Sequence, residues 1–500
     1  MLLTLGILAV FATSQEPAAA EASPIAALPH ASPDLRYELG LRVRGMEEVF
    51  EGADAGERAA ALDKINDSVS LFFSLNLPAA ARALDEARQA LGGRELDWTS
   101  GLSATPNAWV FEPGEPVRVT ISPLYPSELP EPLILRFRED GTRREVNQLP
   151  FTYEFGNLPR VAESDRGKHQ QRYGVEFGDN DRWIGLDLEV IPNARNRARI
   201  AQALRTKRKD DLPEWTYLTT RLHLELFSSL LRGDGIETRL PGEALLLTTE
   251  RLLAIDAKEL SRPAVLRDWV IGADLKEDEV SERSHPRQQW IAVPRERGRD
   301  IARIFVPREL ESDLPPLLLA LHGAGGSENM FLDGYGNGKV MRLAAERGWI
   351  LVAPRMQSGI QLASFTQQMV ELLGADPERV FLMGHSMGAA AILGAATLLQ
   401  SEIAPRGVLL LGGGRATSRA SDLNALTKMP VFLAPGERDF ARSGAESLRD
   451  QLLRAEHQHL EYWLVPNSEH LTVVQAALDR CFDWMQAQLS TSAAARQVPR

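Results

Sequence analysis

The spacing of apolar residues changes along this chain, and each change predicts a different kind of element. From 36 to 92 the pattern is helical. In 57–75 the positions Leu62, Ile65, Val69, Phe72 and Phe73 recur at the three-four spacing of one buried helical face, and Pro78 stops the pattern. Between 101 and 192 the period falls to two. Val117, Val119 and Ile121 alternate, as do Leu133, Leu135 and Phe137, and Asp140-Gly141 is a hairpin turn signal. This predicts a small antiparallel β domain of the sandwich type. From 193 to 285 helical patterns return, first in the basic run RNRARIAQALRTKRK, read as a solvated face, then in LTTRLHLELFSSLL and GEALLLTTERLLAI.

Beyond residue 286 short apolar runs alternate with helical stretches. The runs are QQWIAVP (288–294), IARIFVP (301–307), LLLALHG (317–323), WILVAPR (349–355), VFLMGHS (380–386), GVLLLGGG (407–414), VFLAPGERD (431–439) and LEYWLVP (460–466). A strand covered on both faces has no polar alternation to show. Residues 286–490 are therefore predicted to form a doubly wound, mostly parallel α/β sheet, opened by a hairpin of the first two runs. Reactive groups should gather at the carboxyl ends of its strands. Residues 491–500 read as a flexible tail.

At the other end, MLLTLGILAVFA is an apolar stretch followed by small residues, and 1–14 is read as a signal peptide before a disordered linker, 15–35. The expectation is export to the periplasm or beyond. If the run is only a frayed apolar terminus, the protein stays cytoplasmic. No later segment approaches the roughly 20 apolar residues that span a bilayer, so no integral membrane segment is expected.

Composition adds exclusions. The 500 residues are 44% hydrophobic and 25% charged, ordinary for a globular chain of two to four domains. A net charge of −12 leaves no overall basic face, so nucleic acid is not an expected partner. Cys481 is the single cysteine, which rules out an intramolecular disulfide and a cysteine-based zinc site.

The chemistry sits at the ends of the apolar runs. Gly384-His385-Ser386-Met387-Gly388 matches G-x-S-x-G between a strand-like and a helix-like stretch, the setting in which a sharp turn exposes a serine. A serine needs a base, and the base needs a carboxylate to fix its tautomer. Asp439 closes VFLAPGERD and is the first choice of acid, with Glu437 the alternative. His470 follows the last run. His457 and His459 precede that run, at its wrong end, and read as surface residues. Two backbone N–H groups should form an oxyanion hole: one from Met387, the other from His322-Gly323-Ala324-Gly325-Gly326, with Ala324 the first choice and Gly325 the second. GYGNGK (334–339) lacks the GKS or GKT ending of a phosphate loop and reads as a loop on the substrate side. Asp179-Asn180-Asp181 reads as a turn rather than a calcium site.

HGAGG, GHSMG, GERD and SEH, in this order, resemble the α/β-hydrolase superfamily over roughly residues 286–490. LLLALHGAGGSE with ILVAPR resembles its secreted esterase, polyester-depolymerase and prolyl-oligopeptidase-like branches. The resemblance does not extend to residues 15–285. It implies Ser386 as nucleophile, His470 as base and Asp439 as acid, with acyl transfer to water and no metal or organic cofactor. The expected enzyme is a carboxylic-ester hydrolase acting on a small or polymeric ester. A peptidase is less favoured, because the chain before residue 286 shows no repeated blade pattern. An acyltransferase and a non-catalytic binding protein on a hydrolase scaffold are the other readings.

Overall fold

Residues 30–137, 141–157, 170–177, 182–191, 194–206, 211–235, 240, 242–262, 264–271, 287–356 and 360–496 are described by the structure, a computed structural model. The expected signal peptide, the linker up to residue 29, Asp140, Asp179-Asn180-Asp181, residues 207–209 of the basic run and residues 497–500 lie outside the described residues.

Three helices come first: α1 (Leu35–Gly52), α2 (Ala55–Phe73) and α3 (Leu77–Ala90). Asp34, Asp54 and Asn76 cap them, each accepting from backbone N–H groups that have no partner inside the helix. Pro78 does not stop a helix, as the pattern suggested. It lies in the first turn of α3, where a missing N–H is harmless. The stripe on α2 is also shorter than expected. Leu62 and Ile65 are buried, but Phe73 is 53% exposed, because Phe72 is the last residue of α2 that packs on the core shared by the three helices.

Two sheets follow. One orders β1 (Leu102–Pro106), β3 (Pro116–Pro123) and β6 (Phe151–Asn157). The other orders β2 (Val110–Phe111), β8 (Arg182–Val190), β7 (Gln170–Phe177), β4 (Leu133–Phe137) and β5 (Arg143–Val146). Val117, Val119 and Ile121 of the first meet Leu135, Phe137, Val175 and Leu188 of the second in one core. The pairing is not wholly antiparallel: β2 joins β8 in parallel. The chain leaves β1 for the edge of the opposite sheet.

Helices α4 (Ala194–Thr206), α5 (Glu214–Leu231), α6 (Gly242–Ala254), α7 (Ala257–Leu260) and α8 (Val265–Ile271) lead to the largest sheet. Its strands are β9 (Gln288–Pro294), β10 (Arg299–Phe305), β11 (Leu317–Leu321), β12 (Ile350–Pro354), β13 (Val380–His385), β14 (Gly407–Leu411), β15 (Val431–Ala434) and β16 (Leu460–Tyr462). Their order is β16-β15-β14-β13-β11-β12-β10-β9. β10 is antiparallel to both its neighbours, and the remaining pairs are parallel, so the sheet is mixed and the chain is of the α/β class. Edge strand β9 is covered by α5, whose Thr219 Oγ1 accepts from Ala292 N at 3.0 Å.

Through the middle of this sheet both faces are apolar. Along β11, Leu317, Leu319 and Leu321 enter one core, while Leu318 and Ala320 enter the other. The first core takes in residues of α10 (Leu362–Leu373), α11 (Met387–Gly394), α12 (Ala396–Glu402), α13 (Ala420–Leu426) and α14 (Arg442–Arg454). The second takes in residues of α9 (Lys339–Arg347) and α15 (Val473–Arg496). The last helix thus runs into the segment expected to be a tail. Among the described residues no helix is long and apolar enough to cross a membrane.

Helices α1 to α3 lie against this sheet's layer. Glu47 Oε2 accepts from Gly336 N at 3.0 Å, and Gln475 Nε2 donates to Glu47 O at 2.9 Å. Leu471 and Ala476 pack on the three-helix core. The exposed pairs Arg342–Glu51 and Arg438–Asp63 add about 0–1 kcal/mol each. Apolar contact and the buried bonds therefore dominate the docking.

Burial pushes the Glu47 carboxyl up to about 8, helped by Glu469 and Glu51 and opposed by the Gly336 N–H and by Lys339. The folded chain thus holds this proton more tightly than the unfolded one, whose value is near the ordinary 4.5. Stability from the group is fully present below that value, falls as pH rises, and levels off above about 8. Glu47→Gln keeps the acceptor and removes the titration. Thermal unfolding should show the variant matching the parent near pH 5 and exceeding it by at least about 1 kcal/mol near pH 9. Parallel pH profiles would show that Glu47 does not titrate in this way.

Candidate active site

β13 ends at His385 and α11 begins at Met387, leaving Ser386 alone at the turn with φ 53° and ψ −108°. A residue with a side chain is strained there, by about 1–3 kcal/mol. The turn is held by Ser386 N donating to Leu411 O at 3.0 Å and by Ala390 N donating to Ser386 O at 3.0 Å. Glycine flanks it for steric reasons. A β-carbon on Gly384 would sit 2.5 Å from Ala389 N, and one on Gly388 would run into the carbonyl oxygen of Leu321.

The structure brings Ser386, His470 and Asp439 together. Ser386 Oγ lies 2.9 Å from His470 Nε2, and His470 Nδ1 lies 2.9 Å from Asp439 Oδ1. With Nδ1–H donating to Asp439, Nε2 is free to accept from the serine. Asp439 Oδ1 also accepts from Ala441 N at 2.8 Å, which fixes the carboxylate. Glu437, the alternative acid, faces elsewhere and accepts from Asn467 N at 3.1 Å. His470 stands at the start of α15, where buried Glu469 accepts from Leu471 N and Thr472 N, each at 2.7 Å.

His457 departs from the expectation of a surface residue. It is 8% exposed, and its Nε2–H points to the carbonyls of Leu426 and Met429 at 3.0 and 2.9 Å. A buried ring donor thus adds a bond to carbonyls at and just past the end of α13. His459 is exposed.

Sequence reasoning passed over His385. Its Nε2–H donates to the carbonyl of His470 at 2.8 Å, and its Nδ1 accepts from the Tyr335 hydroxyl at 2.6 Å. Burial, and next the nearby His470, push His385 down to about 3. It stays a neutral strut under the His470 backbone. Burial holds the Tyr335 hydroxyl well above its ordinary range, so it keeps its proton. The available signal was the period of β13, which sets His385 on the same face as the buried Phe381 and Met383. Tyr335 also corrects the reading of 334–339: Gly334, Tyr335 and Gly336 are buried beneath the site and do not face a substrate.

The glycine loop after β11 lies beside the serine. A β-carbon on Gly323 would come within 3.3 Å of Ser386 Cβ. Gly326 N donates to Gly323 O at 3.2 Å, closing a turn with Ala324 and Gly325 at its exposed tip. Gly325 has φ +79°, as the third residue of a type II turn requires. His322 steadies the loop: Nδ1–H donates to Gly323 O at 2.7 Å and Nε2 accepts from Met356 N at 3.0 Å. Below it, buried Glu328 accepts from Arg355 and from Trp290 Nε1, and buried Arg303 donates to Asp333, Asn329 and Gln288. Met387 opens α11, where the first N–H groups have no intrahelical partner. The arrangement offers a serine oxygen able to lose its proton to an oriented imidazole.

No protein-family model matches the sequence, and no curated protein matches it. Solved structures share low similarity. A mutant of the feruloyl esterase module of Clostridium thermocellum, complexed with sinapinate, is 13% identical over 39% of this chain and 87% of its own, with a TM-score of 0.34. S-formylglutathione hydrolase from Staphylococcus aureus is 15% identical over 40% of this chain and 99% of its own, with a TM-score of 0.32. A thermophilic carboxylesterase from a metagenomic library is 14% identical over 41% and 88%, with a TM-score of 0.32. Similarity at this level carries no functional argument.

The steric reading of the turn predicts that Gly388→Ala will force α11 away from β11 and cost at least about 2 kcal/mol. Denaturant unfolding should measure it. Parent-like stability would mean that the contact with Leu321 relaxes freely.

Proposed function

We propose that the chain is a serine hydrolase of the α/β-hydrolase kind that cleaves carboxylic esters through an acyl-enzyme. The observation that carries the reading is the unbroken line Asp439–His470–Ser386, at 2.9 and 2.9 Å, ending on a serine held at a strained strand-to-helix turn.

In this mechanism Ser386 Oγ attacks the ester carbonyl carbon as its proton passes to His470 Nε2. Negative charge develops on the carbonyl oxygen, which the N–H groups of Met387 and of Ala324 or Gly325 stabilise. Asp439 steadies the imidazolium. The tetrahedral adduct collapses, the bond to the alcohol oxygen breaks, and His470 returns the proton to the departing alcohol. Water then enters, gives a proton to His470 and attacks the acyl carbon. The second adduct releases the acid and restores Ser386. An ester is favoured over a peptide, since the two sheets before β9 share a sandwich core rather than forming propeller blades that would gate peptides.

A fluorophosphonate probe should attach covalently to Ser386 alone. Labelling should vanish in Ser386→Ala and fall steeply in His470→Ala. Peptide mapping that found no adduct on folded protein, or an adduct on another serine, would sink this reading in favour of a non-catalytic binding protein. The acid has its own test. Asp439→Ala should lower kcat for an activated ester by about a thousandfold or more, because triad members act as a unit. Glu437→Ala should lower it little, and the reverse order would transfer the role to Glu437.

A further inference from the structure

Three of the loops that carry site residues, all but the turn at Ser386, touch the layer formed by α1 to α3. Arg438, beside Asp439, pairs with Asp63 of α2 at 2.6 Å. Leu471, beside His470, packs on the three-helix core. Phe72, near the end of α2, lies against the glycine loop so closely that a β-carbon on Gly325 would run into its ring. From Asp63 to Phe72 a helix rises about 14 Å, so α2 runs from the acid loop to the oxyanion loop. Buried bonds from Glu47 to Gly336 and Gln475 hold this layer in place.

The end of α2 is also where apolar surface is left uncovered. Phe72 is half-buried and Phe73, in edge-to-face contact with it at 5.6 Å, is 53% exposed. Across the site the ring of Phe440, 62% exposed, lies 4.0 Å from that of His470, and Met387 is 37% exposed. Exposed apolar side chains converging on a few placed polar groups are what a small-molecule site presents. His470 must reach the leaving oxygen, so Phe440 borders the alcohol side. With Phe440 assigned to that side, Phe72, against the glycine loop, is left for the acyl side.

We propose that α2 forms the acyl wall of the Ser386 site and that Phe72 selects esters with an extended apolar acyl chain. This rests on the ester-hydrolase reading above. Contact with Phe72 would remove apolar surface of a long acyl chain from water, and an acetyl group is too short to gain by it.

The test uses the full chain and compares kcat/KM for p-nitrophenyl octanoate with that for p-nitrophenyl acetate. Phe72→Ala should lower the octanoate-to-acetate ratio about tenfold or more, Phe72→Leu should lower it less, and Phe72→Trp should hold it near the parent's. A merely structural Phe72 would depress both esters alike, and a ratio within twofold of the parent's, or above it, in both Phe72→Ala and Phe72→Leu overturns the assignment. If the parent hydrolyses both esters and Ser386 takes the fluorophosphonate, that failure belongs to α2 alone. If the parent cleaves neither ester and Ser386 stays unlabelled, the hydrolase reading falls and this inference with it.

Discussion

Backbone meets backbone where the elbow crosses the end of β11. Gly388 lies so near the carbonyl oxygen of Leu321, and Gly384 so near the amide of Ala389, that neither position has room for a β-carbon. This contact locks the start of α11 onto the sheet and fixes Ser386 at φ 53° above the strand ends. Because β11 leads straight into His322 and Gly323, the strand that forbids a side chain at 388 also delivers the glycine loop beside the serine. The local strain of about 1–3 kcal/mol persists because the strands around it are buried on both faces. Those strands outweigh it: fully burying a single leucine is worth about 1.5–3 kcal/mol.

Three histidines crowd this point, and their surroundings divide the work. His385 and His322 are held below the ordinary imidazole range by burial, and each spends both ring nitrogens on fixed partners. A second cation near His470 would oppose the charge that the proposed base would gain on taking the serine proton. Keeping two rings neutral leaves Asp439 as the group that answers that charge. The neutral rings act through geometry, His385 on the carbonyl of His470 and His322 on the turn that carries Ala324 and Gly325.

The strands were legible because burial on both faces leaves continuous apolar runs, and the meeting of Ser386, Asp439 and His470 was legible because each lies at or beyond the end of such a run. His457 was misread for lack of a partner in the sequence: the carbonyls that bury it, at Leu426 and Met429, lie about thirty residues earlier. Tyr335 was misread because GYGNGK looks like solvent-facing loop chemistry, whereas its backbone is buried against Glu47, 289 residues away. On α2 the helical period was correctly seen, but a period says which residues share a face and not how far along the helix the covering core extends. Phe73 keeps the spacing of the stripe one residue past Phe72, the last of α2 that packs on that core.

That overrun separates two tasks within one molecule. Every group proposed to react comes from a strand end of a single sheet, where small displacements would break hydrogen bonds of 2.9 Å. The surface around them comes partly from a helix more than 250 residues earlier in the chain, part of a three-helix layer joined to the sheet mainly by apolar contact and by two buried bonds of Glu47 on α1. Apolar packing tolerates changes of shape at constant volume far better than a hydrogen-bonded relay tolerates displacement. Substitutions along the exposed end of α2 therefore reshape the rim of the site while leaving the elbow, the relay and the glycine loop where the sheet holds them.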